Sequence, residues 1–359
     1  MVLDVRGTPE TIDGPWLTAA LEQAGVARGA TVTGVDFRGF IGTGQTGRNA
    51  RFSLTWDDST GRPASVVAKF PSDDPNARNS AFTNGNYLRE HVFYNDVAHT
   101  VRVRTPQVYA ALYDATTPDF VLLMEDVSGA VQGDQLAGLT VDQAVLACEQ
   151  AVLLHAPRWG DDSIDVHLGD GLSPEERMAR MSMFYGFTKD PFLARLGHRL
   201  DDEVIDLVQK FADSVGRWVL GTETPRTVVH MDYRPDNFLF GTQEGAPPIV
   251  VVDWQTATAG LGMCDLAYMI GGGFLPEQRA AVERDLLEGY RQKLVAEGVQ
   301  YDADTCWHDY RFASLWGVAM TVIATVMAEE TERGNDMLTA MAQRHGRHAL
   351  DMDALSLLT

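Results

Sequence analysis

Apolar positions recur along this chain in two rhythms, and the change between them divides it. Trp16, Leu17, Ala20 and Leu21 fall at helical spacing, predicting an amphipathic helix over Thr8 to Ala24, opened by Thr8-Pro-Glu and stopped by Gly25. From Thr31 to Asp126 the period shortens. Phe52, Leu54 and Trp56 alternate with polar residues, Asp57 to Pro63 is a turn cluster, and Ser65 to Phe70 is another apolar run. One helix, Arg78 to His99, interrupts the strands, with Tyr87, Phe93, Tyr94 and Val97 as its apolar contacts. Strands follow at Gln107 to Tyr113 and Phe120 to Met124, so the expected order is strand, strand, strand, helix, strand, strand.

After Asp126 the pattern turns mostly helical, with segments at Val141 to His155, Asp201 to Leu220, Pro276 to Glu297 and Thr305 to Arg333. Two domains are therefore expected, 1–126 and 127–359. One non-helical stretch lies inside the helical half: Val228 to Gly241, then Ile249 to Gln255. Phe238 to Phe240 and Ile249 to Val252 read as strands joined by the turn-rich Gly241 to Pro248, a hairpin.

Composition narrows the classes. The 45% hydrophobic and 22% charged content is that of an ordinary globular protein, and 359 residues suffice for two cores. A net charge of −21 argues against a nucleic-acid partner, which requires clustered Lys and Arg. Cys148, Cys264 and Cys306 lack metal-ligand spacing and sit among apolar residues, as reduced buried thiols do. The segment Met1 to Gly7 has no apolar signal core, and no run approaches a membrane span. A cytoplasmic protein with no membrane partner, monomeric or a homodimer, is expected.

The chemistry concentrates in His230-Met-Asp232-Tyr-Arg-Pro-Asp-Asn237 and Asp253. Adjacent strands lie about 4.8 Å apart, so a hairpin would set Asn237 and Asp253 side by side. Both are oxygen ligands of the kind Mg²⁺ takes, with phosphate and water completing its octahedron. Asp232, one short loop earlier, is placed to take a proton from an attacking hydroxyl. His230 is expected to hold the loop by hydrogen bonding.

These segments resemble the catalytic loop and metal motif of the aminoglycoside phosphotransferase and choline kinase superfamily. Asp253-Trp-Gln255, with Gly260 and Asp265-Leu-Ala-Tyr268, is similar to its ecdysteroid kinase-like branch. The resemblance runs from the N-terminal helix to about Gly273. It implies an α+β, two-lobed protein-kinase-like fold: an N-terminal antiparallel β-sheet lobe with one main helix, and a larger, mostly helical C-terminal lobe. It also implies ATP and Mg²⁺, and transfer of the γ-phosphoryl group to a hydroxyl of a small molecule.

On that resemblance Gly42, Thr43, Gly44, Gln45, Thr46 and Gly47 form a loop whose N–H groups cover phosphates. Lys69, one of four lysines, ends an apolar strand where its ammonium needs a partner; Glu90 on the next helix is similar to the glutamate that supplies one. Backbone groups at Glu125 and Val127 would bind adenine, and Asp265 would brace the catalytic loop, with Leu266 and Tyr268 beneath it. Asn237 and Asp253 would be the metal ligands and Asp232 the base. Two departures stand out: Met231 where many relatives have glycine, and Trp254-Gln255 in place of the Phe-Gly of protein kinases.

A protein kinase and a catalytically inactive nucleotide-binding pseudokinase are the rival readings. Asp253 and Asp265 are too close to hold a peptide platform between them, and the joint presence of Lys69, Glu90, Asp232, Asn237 and Asp253 opposes the inactive module. Met181 to Phe187, Trp307 and Trp316 are candidates for an apolar acceptor wall. Such a wall would suit a lipophilic alcohol, whereas acidic lining residues would suit an amino sugar or a choline-like cation.

Overall fold

The computed structural model describes residues 3–42, 47–327 and 330–358. It divides into two compact units: Met1–His99, Arg104–Ala130 and Gly241–Thr256 form the first, and Thr100–Val103, Val131–Phe240 and Ala257–Thr359 the second. The short segment carrying Asp253 thus belongs with the sheet-bearing unit.

In the first unit β1 (Val32–Ile41), β2 (Gly47–Trp56), β3 (Ser65–Pro71), β4 (Val108–Tyr113) and β5 (Phe120–Glu125) form one antiparallel sheet, ordered β1-β2-β3-β5-β4. The two-residue period of a strand decides what each face meets. Val66, Ala68 and Phe70 of β3, with Phe52, Leu54 and Trp56 of β2, bury against Trp16, Leu17, Ala20 and Leu21 of helix α1 (Gly14–Gln23). Val67 of β3 and Phe120, Leu122 and Met124 of β5 point the other way, onto Ala81 and Tyr87. Lys69 shares the parity of Val67. Its side chain therefore leaves the strand toward the helices on that second face.

Two helices of this unit differ from expectation at their ends. Asp13, not Thr8, caps α1 by accepting from the Trp16 N–H, and Thr8-Pro-Glu makes a separate single turn over Pro9–Thr11. The helix expected over Arg78 to His99 is broken. Gly85 adopts φ +73°, which separates α2 (Pro75–Thr83) from α3 (Asn86–Val92), and a wider turn, Phe93–Val97, follows.

The second unit is mostly helical, as expected for the larger lobe. It contains α4 (Val141–His155), the short α5 (Asp165–Leu168), α6 (Pro174–Leu196), α7 (Asp202–Phe211) and α8 (Val215–Trp218), then α9 (Met263–Gly273), α10 (Pro276–Ala296), α11 (Ala303–Met327) and α12 (Glu332–Asp351). Thr140 and Gln143 form the capping box that fixes the start of α4. The helix read over Asp201 to Leu220 is two, and α6, α9 and α12 were not anticipated. Short strands β6 (Ala130–Gln132), β7 (Thr227–Val229), β8 (Phe238–Gly241), β9 (Ile249–Val251) and β10 (Thr258–Gly260) punctuate the chain, with β7 and β10 antiparallel.

Cys148, Cys264 and Cys306 are buried and free, on α4, α9 and α11. Burial pushes the Cys148 and Cys306 thiols up to about 12. No helix among the described residues is long and apolar enough to cross a membrane.

Candidate active site

Two clusters of polar side chains form, one in each unit. In the helical unit β7 delivers the chain to His230, fully buried, and then to Met231, whose φ of +65° is left-handed. That conformation costs a residue with a Cβ about 1–2 kcal/mol, so the loop must be held. Asp265, in the first turn of α9 and fully buried, does part of this. Its carboxylate accepts from the His230 N–H and the Met231 N–H, each at 2.8 Å.

The Asp265 carboxylate is oriented in turn by His155 Nε2 at 3.1 Å, while His155 Nδ1 meets the Tyr290 hydroxyl at 2.7 Å. An ionised Asp265 only accepts, so Nε2 carries the proton and Nδ1 accepts from Tyr290. The bracing role expected of Asp265 is thus present as geometry. His155 and Tyr290 behind it were not foreseen.

Asp232 is anchored through its main chain and its side chain. Its N–H donates to His230 Nδ1 at 3.2 Å, the loop-holding bond expected of that histidine. Its carboxylate accepts from Arg234 Nε at 3.1 and 3.3 Å and from Asn237 Nδ2 at 2.9 Å, and pairs with the Tyr268 hydroxyl. Asn237 Nδ2 also donates to the Asp232 carbonyl at 2.8 Å. With its NH₂ thus committed, Asn237 is left with Oδ1 as an acceptor for a cation.

Arg234 was missed at the sequence level. It bridges Asp232 and Asp236. Burial would lower its pKa, but the two carboxylates more than offset this and hold it above the ordinary value. The available signal was the alternation Asp232, Arg234, Asp236, which puts one cation between two anions.

In the sheet-bearing unit Lys69 Nζ donates to Glu90 Oε1 and Oε2 at 3.0 and 2.8 Å and to Asp253 Oδ1 at 2.9 Å. Burial opposes the ammonium, yet Asp253 and Glu90 on either side of it raise its pKa above the ordinary lysine value. The contact with Glu90 is the one the strand-end lysine called for; the contact with Asp253 was not expected. Asp253 is brought there by its neighbour. Trp254 stacks on Phe93, one turn beyond Glu90, with centroids 3.9 Å apart and planes within 2°, and its backbone N–H bonds Glu90. Asp253 itself has φ +68°.

Gly47 opens β2 beside this cluster. A Cβ there would lie 2.9 Å from the Phe70 carbonyl oxygen and 3.1 Å from Lys69 Cε, so glycine permits the close approach. Gly42 has φ +76°. Thr43, Gly44, Gln45 and Thr46, the rest of the expected phosphate loop, lie outside the described residues.

The Glu125 N–H is committed to the Gln107 carbonyl at 2.8 Å, and its carboxylate to Arg104 at 2.8 and 2.9 Å. Glu125 to Ser128, Val127 included, face Gln243 to Pro247 across an open cavity of about 360 Å³ within the same unit. Lys69, Glu90 and Asp253 do not line it. Among the acceptor-wall candidates, Met183 and Phe187 of α6 are 67% and 73% exposed whereas Tyr185 is buried, and Trp307 packs under the Arg284 guanidinium.

An antiparallel five-stranded sheet with a helical remainder, together with a Lys–Glu pair and an Asp-x-x-x-x-Asn loop, defines a two-lobed kinase-like protein. The chain belongs to the phosphotransferase enzyme family, which matches it over residues 47–295. Its fold is similar to that of several solved structures. The choline kinase of Cryptosporidium parvum Iowa II is 12% identical, with a TM-score of 0.54 over 90% of each chain. The GDP complex of aminoglycoside 2'-phosphotransferase-IIIa is 15% identical, with a TM-score of 0.54 over 93% of this chain and 99% of that one. The ethanolamine kinase of Plasmodium vivax is 10% identical, with a TM-score of 0.53 over 86% and 82%. A search of curated proteins gives no significant match.

The donor set suits Mg²⁺, which takes oxygen ligands and keeps part of its water. Each unit offers an oxygen donor of that kind: the Asn237 side-chain amide in the helical unit and, in the sheet-bearing unit, the Asp253 carboxylate, whose Oδ2 lies 3.4 Å from Gln255 Nε2.

Proposed function

We propose that the chain is an ATP- and Mg²⁺-dependent kinase acting on a hydroxyl of a small molecule. Asp232 accepts the proton of the acceptor hydroxyl. The acceptor oxygen bonds the γ-phosphorus as the bond to the β-phosphate oxygen breaks, and ADP leaves. Asn237 and Asp253 supply protein ligands for Mg²⁺, which when bound neutralises charge on the phosphates. Lys69 adds a fixed positive charge to the same task. The peptides of Gly42 to Gly47, and those at Glu125 and Val127, are the proposed contacts to phosphate and adenine.

The observation that carries this reading is the treatment of Asp232. Its backbone is tied by His230 and its carboxylate is aimed by Arg234 and Asn237, so an acceptor group is held in one orientation at little cost during reaction. The similarity of Asp253-Trp-Gln255 and Asp265-Leu-Ala-Tyr268 to the ecdysteroid kinase-like branch supports an acceptor within that class. To test the assignment, the protein is incubated with ATP, Mg²⁺ and a library of hydroxylated small molecules, and ADP release is followed. Asp232→Asn is expected to lower kcat at least 10²-fold, in the range of general-base removal, with ATP affinity within about twofold. An Asp232→Asn variant that turns over normally removes the base assignment.

A further inference from the structure

The peptide between Met231 and Asp232 is gripped at both ends. Its N–H, that of Asp232, donates to His230 Nδ1 at 3.2 Å, and its carbonyl, that of Met231, accepts from the Trp316 indole Nε1 at 2.8 Å. The preceding peptide is held as well, because the Met231 N–H donates to Asp265 Oδ1 at 2.8 Å. Met231 sits between these two fixed planes at φ +65°, a conformation that a residue with a Cβ leaves when it can.

Trp316 lies in the middle of α11, well outside the loop it touches, and is itself held by aromatic packing. Its ring stacks on Trp218 with centroids 5.9 Å apart and planes within 9°. Trp218 stacks on Phe312 and donates Nε1 to the Phe312 carbonyl at 3.0 Å. The indole is therefore a donor mounted on a rigid aromatic stack. A flexible side chain could not resist rotation of the Met231–Asp232 peptide in the same way.

We infer that Trp316 is a positioning residue for the phosphotransfer reaction: its indole N–H holds the Met231 carbonyl, keeps Met231 left-handed, and so keeps Asp232 aimed. The inference rests on the proposed kinase function, with Asp232 as the base. Trp316 acts through the peptide, not by touching the reacting atoms. Loss of its N–H frees the carbonyl end of the peptide and lets Met231 relax, which turns the Cα–Cβ bond of Asp232 away.

The test is a cycle of Trp316→Phe and Met231→Gly. Phenylalanine keeps an aromatic ring on Trp218 and removes only the donor, whereas glycine adopts the left-handed conformation without being held there. Trp316→Phe is expected to lower kcat about tenfold, with KM for ATP and acceptor within twofold. In the Met231→Gly background the same substitution is expected to lower kcat less than about threefold. An equal tenfold loss in both backgrounds overturns the inference, as does a raised acceptor KM at unchanged kcat, which would make Trp316 an acceptor contact.

Amide hydrogen exchange over residues 228–240, measured with no substrate, separates this inference from the function on which it rests. Exchange of the loop amides is expected to rise several-fold in Trp316→Phe and to stay near the starting value when Met231→Gly is added. Unchanged exchange in Trp316→Phe overturns the brace. A faster-exchanging variant of a protein that phosphorylates no acceptor would instead remove the kinase reading and leave the brace standing.

Discussion

Replacing Asp265 with asparagine isolates the cost of the buried anion that organises the loop. Asp265 Oδ2 faces two donors, the His230 N–H at 2.8 Å and His155 Nε2 at 3.1 Å, while Oδ1 faces the Met231 N–H at 2.8 Å. The amide oxygen of asparagine will take the side with two donors, which turns its NH₂ toward the Met231 N–H. One charge-assisted bond is then replaced by opposed donors, costing about 1–3 kcal/mol, and two others weaken to neutral strength, about 1 kcal/mol each. Relief from burying an ion offsets about half of that sum.

The expected net loss for Asp265→Asn is about 1.5–2.5 kcal/mol, or roughly 3–10 °C in Tm at about 2–4 °C per kcal/mol for a unit of this size. Urea denaturation followed by circular dichroism measures it, and kcat is expected to fall alongside. A change below about 0.5 kcal/mol, the level of an ordinary surface substitution, would refute the view that this carboxylate holds the loop.

Asp253→Ala is expected to abolish the Mg²⁺ dependence of nucleotide affinity in calorimetric titrations with and without the ion, while Lys69 keeps its bonds to Glu90; unchanged dependence would end the metal assignment. Glu90→Gln leaves a buried ammonium with one carboxylate instead of two. Urea denaturation should register a loss of about 1–3 kcal/mol, below the 3–5 kcal/mol of a fully broken buried pair because Asp253 remains. His345 and His348 of α12 supply a pH dependence. Both are fully buried beside Arg279, His345 stacks on Tyr268, His348 meets Tyr310 with the two rings tilted by 46°, and Arg344 lies near. Burial, then the neighbouring arginines, lowers His345 to about 3 and moves His348 well below the ordinary value. Both are neutral when folded and take up protons near pH 6.5 when unfolded. Their stabilisation is complete above that pH and declines as pH falls below it, by about 1.4 kcal/mol per unit for each histidine. His348→Met should flatten the slope of stability between pH 6 and 4 by that amount, and an unaltered slope would contradict the burial argument.

Much of the fold was legible because strand parity and helix spacing are written directly in the apolar pattern. Phe52, Leu54 and Trp56 announced β2, and Val141 to His155 matched α4 to the residue. What failed had local causes. Gly85 breaks the helix expected to run through it because a left-handed residue cannot continue the hydrogen-bond ladder. Helix α6 escaped notice because Gly186 and Pro191 read as breakers and because Met183 and Phe187 face outward, blurring the apolar stripe. At the candidate site the loop stood out as a polar, non-helical stretch between apolar runs, and Glu90 was matched to Lys69 through the family resemblance. Arg234 required weighing charge alternation, and the hold of Trp316 on the Met231 carbonyl joins residues 85 positions apart; a single sequence carries no trace of such a contact.

The three cysteines make the protein its own reporter. Each sits on a different helix of one unit, and with their pKa values raised by burial almost no thiolate exists at neutral pH. A disulfide-exchange reagent can therefore modify them only during excursions in which α4, α9 or α11 parts from its neighbours. The three modification rates, resolved by mass, amount to a clock on the breathing of the helical unit. The sheet-bearing unit contains no sulfhydryl and leaves that clock undisturbed.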